Sequence, residues 1–272
     1  MLSPQSYVHG YSSRENLRLA DQADILRDLL VADVRFAPGS RVLEAGCGVG
    51  AQTITLAPHN PTCRLVCLDI SPASLAQAKE RAAAAALTNV EFLHGDVFAP
   101  PFAPESFDEV FVCFLLEHLA DPAGALASLV KLLKPGGRLW AVEGDHGSCY
   151  YHPRHPAAEQ AWAALVTVQE RLGGDSLLGR RLDALLRGAG LAEVSTEPRL
   201  VYGDDGSPAR REAFVGRVIT PMVAGVQDQA LAWGLVDPTT WEQGLAHLGS
   251  LATRPGASFS YTFFRGTGRK EG

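Results

Sequence analysis

The sequence lacks both a long apolar run and a leader-like opening. No stretch reaches the roughly 20 consecutive apolar residues that a membrane-spanning helix needs. The opening residues, "MLSPQSYVHGYSSRENLRLADQ", contain no basic segment followed by an apolar one, which is the pattern of a secretory signal. We therefore expect a cytoplasmic protein with no membrane partner.

An excess of positive charge is also missing. The chain has 24 Lys and Arg residues against 30 Asp and Glu residues, which gives a formal net charge of -6. Proteins that bind nucleic acids usually present a basic face to the phosphates. We therefore expect no nucleic-acid partner.

The cysteines follow neither a disulfide pattern nor a metal-site pattern. There are five, an odd number, and most lie in or beside strand-like apolar runs, as reduced buried thiols do. Cys63 and Cys67 flank such a run, and no second pair of Cys or His residues follows at zinc-site spacing. The sequence predicts reduced thiols and no metal.

What the chain does have is enough apolar residues for a large core and a regular alternation of elements. It has 272 residues, 46% of them hydrophobic. Leu19, Ala23, Leu26 and Leu30 lie at helical spacing near the start. From residue 41 on, short apolar runs alternate with helical stretches, which predicts an α/β fold with a doubly wound parallel sheet.

The alternation changes after Gly147. Two helical stretches are followed by a strand pattern at 191–204, by helices broken by Gly and Pro at 207–252, and by an alternating strand pattern at 258–270. Arg210 and Arg211 could hold an acidic substrate, but the favoured prediction for both is a solvated helix start.

The stretch "RVLEAGCGVGAQ", residues 41–52, is a strand that ends in a glycine-rich turn. Gly46, Gly48 and Gly50 allow close approach to the backbone, and the following helix start supplies unpaired amide donors. Such a turn either holds a polar or anionic ligand or simply connects a strand to a helix. Both interpretations are open at this point.

Acidic residues at two further strand ends favour a ligand. Asp69 ends the second strand, where a carboxylate can accept both hydroxyls of a ribose, and Asp96 ends the third, where it can accept from an exocyclic amine. In "GCGVGA" the third glycine comes one residue earlier than in the G-x-G-x-x-G pattern of nicotinamide oxidoreductases. The spacing therefore disfavours a dinucleotide site.

Taken together, the motifs of residues 40–143 resemble those of class I S-adenosylmethionine-dependent methyltransferases. They occur in the family's order and at its usual spacings: "VLEAGCGVG", "LDIS", "GDVF", "FDEVFVCFLLEHL" and "LLKPGGRL". The resemblance implies a Rossmann-like, seven-stranded, mostly parallel sheet with the last strand antiparallel. It also implies a helical lid at 1–36, a core at 37–203 and 256–272, and a helical insertion at 204–255 that roofs the substrate.

The resemblance also implies S-adenosylmethionine as the cofactor. Glu44 would lie beneath the glycine turn, Asp69 would bind the ribose hydroxyls, and Asp96 would bind the adenine amine. The full set of expected cofactor-binding residues is Tyr11, Glu44, Gly46, Cys47, Gly48, Gln52, Asp69, Ile70, Asp96, Val97, Phe114 and His118.

Catalytic candidates follow the fifth strand, in "VEGDHGSCYYHPRH". His146 is the predicted general base, because an imidazole exchanges protons near neutral pH, and Asp145 or Glu143 would orient it or hold a substrate amine. A polar loop that caps a helix would have the same composition, and this alternative stays open. The expected substrate-binding residues are Tyr7, Glu143, Tyr150 and Tyr202.

We therefore expect an enzyme that methylates an N or O atom of a small molecule, with carbon methylation left open and a homodimer as a further expectation. Two alternatives belong to other classes of protein. One is a regulatory protein that binds the cofactor without turnover, and the other is a nicotinamide-dependent oxidoreductase.

Overall fold

The computed structural model describes the backbone of residues 13–272 and the side chains of residues 22–272. Tyr7 and Tyr11, to which the sequence assigned roles, lie outside the described residues. The described chain divides into two compact units. The first unit comprises residues 13–25, Asp145–Ser176 and Leu200–Thr262; the second comprises Leu26–Gly144, Leu177–Arg199 and Phe263–Gly272. The helical stretch predicted as a substrate roof belongs to the first unit, and its role as a roof stays a prediction.

The described strands form a seven-stranded sheet in the order β3-β2-β1-β4-β5-β7-β6. The sheet is mostly parallel and its last strand, β7, is antiparallel, so the predicted fold class is confirmed. The strands are β1 (Arg41–Ala45), β2 (Arg64–Asp69), β3 (Val90–His94), β4 (Phe107–Cys113), β5 (Leu133–His152), β6 (Leu191–Gly203) and β7 (Ser258–Lys270).

Helices connect these strands. The α-helices are α1 (Ser13–Leu30), α2 (Thr53–His59), α3 (Pro72–Ala84), α4 (Pro122–Leu132), α5 (Pro156–Arg171), α6 (Leu182–Gly188), α7 (Pro208–Arg211), α8 (Thr220–Ala224), α9 (Gln227–Ala232) and α10 (Pro238–Ser250). Short 3-10 helices occupy Leu116–His118 and Leu178–Arg181, and a π-helix occupies Glu212–Ile219. Among the described residues, no helix combines the length and apolarity needed to cross a bilayer.

Several helices begin where a capping residue precedes a proline. The side chains of Ser71, Asp121 and Asp237 accept backbone N–H groups from the first turns of α3, α4 and α10, and proline follows each of them. The cap satisfies an amide that has no partner within the helix, and proline has no amide to satisfy. These local signals are why the starts of these helices are readable from the sequence.

The central strands of the second unit place their carboxyl ends at one edge of the sheet. β1 is parallel to both β2 and β4, with Ala45 opposite Leu68 and Val112, and β2 is parallel to β3, with Asp69 opposite His94. The glycine turn follows β1 at this edge. The residues predicted to bind the cofactor therefore follow neighbouring strands.

The fifth strand is longer than predicted. The polar run after Val142, interpreted as a loop, continues as extended strand to His152. The Ser148 hydroxyl explains this, because it accepts the backbone N–H of Thr262 on β7 at 2.8 Å and donates to the Asp145 carbonyl at 2.7 Å. Polar side chains can thus occupy a strand when the neighbouring strand satisfies them, so the loop interpretation was wrong up to His152. The helix-cap interpretation holds at the end of the stretch, where the His155 side chain accepts the Ala157 N–H at 3.2 Å and caps α5.

Candidate functional site

In the glycine turn of the second unit, one glycine packs against a neighbouring side chain and another has open space beside its Cα. Gly46 and Gly48 have φ angles of 72° and 53°, which side chains rarely adopt. A Cβ on Gly46 would lie 2.8 Å from the Leu115 side chain, whereas a Cβ on Gly48 would meet nothing within 4 Å. The backbone at Gly48 therefore faces space that a ligand can enter.

Asp69 fixes the conformation of this turn. One carboxylate oxygen accepts the Gly48 N–H at 2.8 Å, and the other accepts the Ser71 N–H at 2.8 Å. Burial raises the pKa of Asp69, while these bonds and the nearby His94 lower it. Each carboxylate oxygen accepts about two hydrogen bonds, so the group retains capacity for two hydroxyl donors.

Glu44 lies under the turn and braces it. Its carboxylate is buried and accepts the Thr53 hydroxyl at 2.6 Å and the Cys67 thiol at 3.4 Å. Burial raises the pKa of Glu44 to about 7, with the Thr53 and Cys67 bonds lowering it and the charge of Asp69 raising it. These contacts join β1, β2 and the start of α2.

The residues that follow β2 and β3 offer a polar group and apolar surface. An Asp96 carboxylate oxygen accepts the Phe98 N–H at 2.9 Å. Val97 is buried, whereas the Ile70 side chain is 44% exposed. An exposed aliphatic side chain directly after Asp69 provides apolar surface for a planar ring.

Phe114 follows β4 in a conformation that is unusual for a residue with a side chain. Its φ is 53°, its N–H donates to the Val142 carbonyl at 2.9 Å, and its ring centroid lies 5.4 Å from that of Phe263. Such backbone strain persists where surrounding structure enforces it, often at binding sites.

Glu143 supports the start of the 3-10 helix that contains His118. Its fully buried carboxylate accepts the backbone N–H groups of Leu115, Leu116 and Glu117 at 3.2, 2.9 and 3.3 Å. Burial and the neighbouring Glu117 raise the pKa of Glu143. The imidazole of His118 lies 3.5 Å from the Glu117 carboxylate. Glu143 thus stabilises the start of this 3-10 helix, and a contact between Glu143 and a substrate stays a prediction.

His146 lies in the first unit and is held by aromatic and backbone groups. Its ring nitrogen Nδ1 lies 2.7 Å from the Tyr261 hydroxyl. Its backbone N–H donates to Ser176 at 2.8 Å, and its carbonyl accepts the Trp162 indole N–H at 2.9 Å. Asp145, the predicted orienting group, directs a carboxylate oxygen to the Gly147 N–H at 2.9 Å.

The remaining predicted residues lie in varied surroundings. Gln52 is half-buried at the start of α2 and makes no side-chain cap there. Tyr150 and Tyr202 are exposed, by 70% and 45%. The contacts of the described residues do not assign a substrate role to either tyrosine.

The burial of Arg211 contradicts the prediction of a solvated side chain. The Arg211 side chain is buried and donates to the carbonyls of Ala252 and Ala257 and to the Asp205 carboxylate at 2.8 Å. Arg210, its neighbour, is exposed. The sequence could not separate them, because the carbonyls that Arg211 binds lie more than 40 residues further on.

Sequence reasoning missed three supporting residues. Thr53 directly follows the stretch 41–52 and Ser71 ends the motif "LDIS", so the position of each beside a recognised motif was a usable signal. Tyr261 had no local signal as a partner of His146, because 115 residues separate them.

Residues 43–141 match the family described as "Methyltransferase domain". The chain is also similar to demethylmenaquinone methyltransferase of Staphylococcus aureus, with 32% identity over 160 residues, which are 58% of this chain and 63% of that protein. The chain spans between half and two thirds of the length of the curated relatives it matches first.

Two solved structures illustrate the shared fold. A phosphoethanolamine N-methyltransferase 2 of Haemonchus contortus, in complex with S-adenosylhomocysteine, matches with a TM-score of 0.60 and 15% identity over 96% of this chain and 58% of that one. The [4+2]-cyclase SpnF matches with a TM-score of 0.54 and 20% identity over 93% of this chain and 81% of that one. At these identities the likeness shows the fold alone.

Proposed function

We propose that this chain, whose residues 43–141 match the methyltransferase domain family, is a class I S-adenosylmethionine-dependent methyltransferase. It transfers a methyl group from S-adenosylmethionine to an N or O atom of a small molecule. The observation that carries the proposal is the bond between the Asp69 carboxylate and the Gly48 N–H. It places an acidic acceptor against an open, Cβ-free backbone at the carboxyl edge of a parallel sheet, where ligands of such sheets bind.

The residues present fit this cofactor, which when bound supplies a methyl group on a positively charged sulfur. Asp69 retains acceptor capacity for two ribose hydroxyls, and Gly48 leaves room for the ligand. Ile70 and Val97 would cover the faces of the adenine, and Asp96 would accept from its amine. Gly46, Cys47, Gln52, Phe114 and His118 would complete the pocket, with Glu44 as its brace. The expected role of Tyr11 lies outside the described residues.

The task of the protein in such a transfer is chiefly alignment. Fixing two reactants in line can lower a barrier by roughly 7–11 kcal/mol. A base is needed only when the acceptor atom arrives protonated, and we assign this role to His146, with Asp145 beside it in the sequence. Tyr150, Tyr202, Glu143 and the undescribed Tyr7 remain our candidates for holding the substrate.

The substrate class and the setting of the enzyme are also proposals. The name of the S. aureus relative specifies a quinone as its substrate, which makes reduced quinones a useful part of any test panel. All five cysteines are free thiols, which supports a reducing, cytoplasmic setting. A homodimer stays a prediction that light scattering would test.

The test is calorimetry with S-adenosylmethionine, followed by incubation of the purified protein with methyl-labelled cofactor and a panel of amines, phenols, carboxylic acids and quinols. We expect binding and label transfer to at least one acceptor. No binding at millimolar cofactor would overturn the proposal. Cofactor binding without methyl transfer to any compound of the panel would favour a regulatory protein. Tight NADH binding, measured by fluorescence, would favour an oxidoreductase.

The role of His146 is tested separately by His146→Ala. We expect kcat to fall by about 100-fold or more with cofactor affinity unchanged, because a general base contributes roughly 10²–10⁴-fold. His152→Ala, at the exposed end of the same strand, is the matched control. An equal loss of turnover and cofactor affinity in His146→Ala would indicate a structural role.

A further inference from the structure

We infer that Tyr261 is a positioning residue for His146: its hydroxyl oxygen accepts the Nδ1–H of the imidazole and thereby keeps the lone pair on Nε2. The inference rests on the proposed function, in which His146 takes a proton from the acceptor. It goes beyond that function by assigning a role to Tyr261, which lies 115 residues from His146 in the sequence.

The geometry leaves the two rings little freedom. His146 and Tyr261 are 4% and 2% exposed, and their polar atoms are 2.7 Å apart. The backbone of His146 is held on both sides, by Ser176 and by the Trp162 indole. The ring centroid of His146 lies 5.6 Å from that of Trp162 and 5.9 Å from that of Tyr261. The imidazole is therefore held in place before any substrate binds.

Tyr261 is itself fixed by packing within the first unit. Its ring meets Phe214 of the π-helix edge-on, with centroids 6.1 Å apart, and meets Trp162 with centroids 6.4 Å apart. Phe214 is in turn packed against Phe259, two residues before Tyr261 on β7. Because packing holds the ring of Tyr261 in one orientation, its hydroxyl stays within hydrogen-bonding distance of Nδ1 of His146.

Proton counting then sets the direction of the bond. A neutral imidazole has one N–H and one lone pair. Nδ1 is the nitrogen bonded to Tyr261, so a base in this position must use the lone pair of Nε2, and the ring proton must be on Nδ1. When the acceptor gives up its proton, its bonding pair stays on the acceptor atom and the proton binds Nε2. The resulting imidazolium keeps its Nδ1–H bond to the phenol oxygen, which becomes charge-assisted.

The first test needs neither cofactor nor substrate. In the cofactor-free protein, ¹⁵N NMR of the histidine side chains, assigned with His146→Gln, should show Nδ1 of His146 as the protonated nitrogen and Nε2 as the unprotonated one. The Tyr261→Phe variant should lose this preference. A wild-type protein with the proton on Nε2 would overturn the inference, since Tyr261 would then donate and His146 would present no lone pair there.

The second test uses turnover with the acceptor found for the wild-type enzyme. Tyr261→Phe should lower kcat at least tenfold and leave the KM of the acceptor and the Kd of the cofactor within twofold. The matched control is Tyr151→Phe, which removes a hydroxyl of the same unit that has no hydrogen-bond partner among the described residues. An equal loss in both variants, or an unchanged kcat in Tyr261→Phe, would refute the positioning role.

The two tests separate failure of the inference from failure of the proposed function. A protein that binds the cofactor but transfers no methyl group still reports its His146 tautomer by NMR. If Tyr261→Phe fails to fold, the wild-type tautomer alone decides the direction of the bond.

Discussion

The Thr53 hydroxyl donates a 2.6 Å hydrogen bond to the Glu44 carboxylate across the glycine turn. Glu44 lies near the end of β1 and Thr53 begins α2, so this buried pair fixes how the helix leaves the strand. The turn is thus stabilised by two carboxylates, Glu44 through its bond to Thr53 and Asp69 through its bond to the Gly48 N–H. A backbone held in this way need not reorganise when a ligand binds.

Glu44 predicts a pH dependence of stability. Burial raises the pKa of Glu44 from 4.5 to about 7, so the folded protein holds this proton more tightly than the unfolded chain. The stabilisation is complete below about pH 4.5 and is lost as pH rises through about 7. A shift of this size corresponds to about 3 kcal/mol. When the pH is raised from 4.5 to 8, the free energy of unfolding measured with urea should fall in both proteins. The fall should be smaller in Glu44→Gln than in the wild type, by about 3 kcal/mol.

The control for this prediction is Glu80→Gln, at an exposed position on α3. Its unfolding free energy should follow that of the wild type over the same pH range. A Glu44→Gln curve that runs parallel to the wild type would show that Glu44 does not carry the effect.

Asp69→Asn should weaken S-adenosylmethionine binding by roughly 10- to 100-fold, because charge-assisted hydrogen bonds contribute about 1.5–3 kcal/mol each. Isothermal calorimetry measures this directly. Asp108→Asn is the matched control, since Asp108 is near the opposite, amino end of β4 and bonds Arg41 and Lys134. Unchanged affinity in Asp69→Asn would place the pocket elsewhere.

Gly48→Ala should separate backbone strain from loss of ligand space. Gly48 and Gly39 both have positive φ angles, and a Cβ would meet nothing within 4 Å at either. Both alanine variants should therefore lose about 1–2 kcal/mol of stability. We expect only Gly48→Ala to weaken cofactor binding by calorimetry as well. An equal affinity in the two variants would contradict a ligand at Gly48.

Arg211→Met should lower the free energy of unfolding by about 3 kcal/mol, because it removes buried charge-assisted bonds to two carbonyls and to Asp205. The neighbouring Arg210 is exposed, and Arg210→Met should be nearly neutral. Chemical denaturation compares the two. Similar small losses would show that the buried guanidinium does not stabilise the first unit.

Much of the second unit was predictable because its signals are local. The apolar run 41–45, the glycines after it and Asp69 at the end of the next run specify strand, turn and acidic strand end within about 30 residues. Capping residues followed by proline, as at Ser71 and Asp121, mark helix starts in the same direct way. The seven-stranded fold followed from these signals together with the family resemblance.

The sequence by itself determined the order of strands and helices along the chain, the glycine-rich turn after β1 and the acidic residues that end β2 or follow β3, since periodicity and backbone preference act between near neighbours. Only the tertiary structure decided that the polar run after Val142 is a strand, that Glu143 supports the 3-10 helix at Leu116–His118, that Arg211 is buried and that Tyr261 binds His146. Each of these depends on a partner at least 26 residues away. The sequence shows which hydrogen-bonding groups the chain carries. Which of them become partners is decided by the fold, because the fold brings residues that are distant in the sequence within bonding distance.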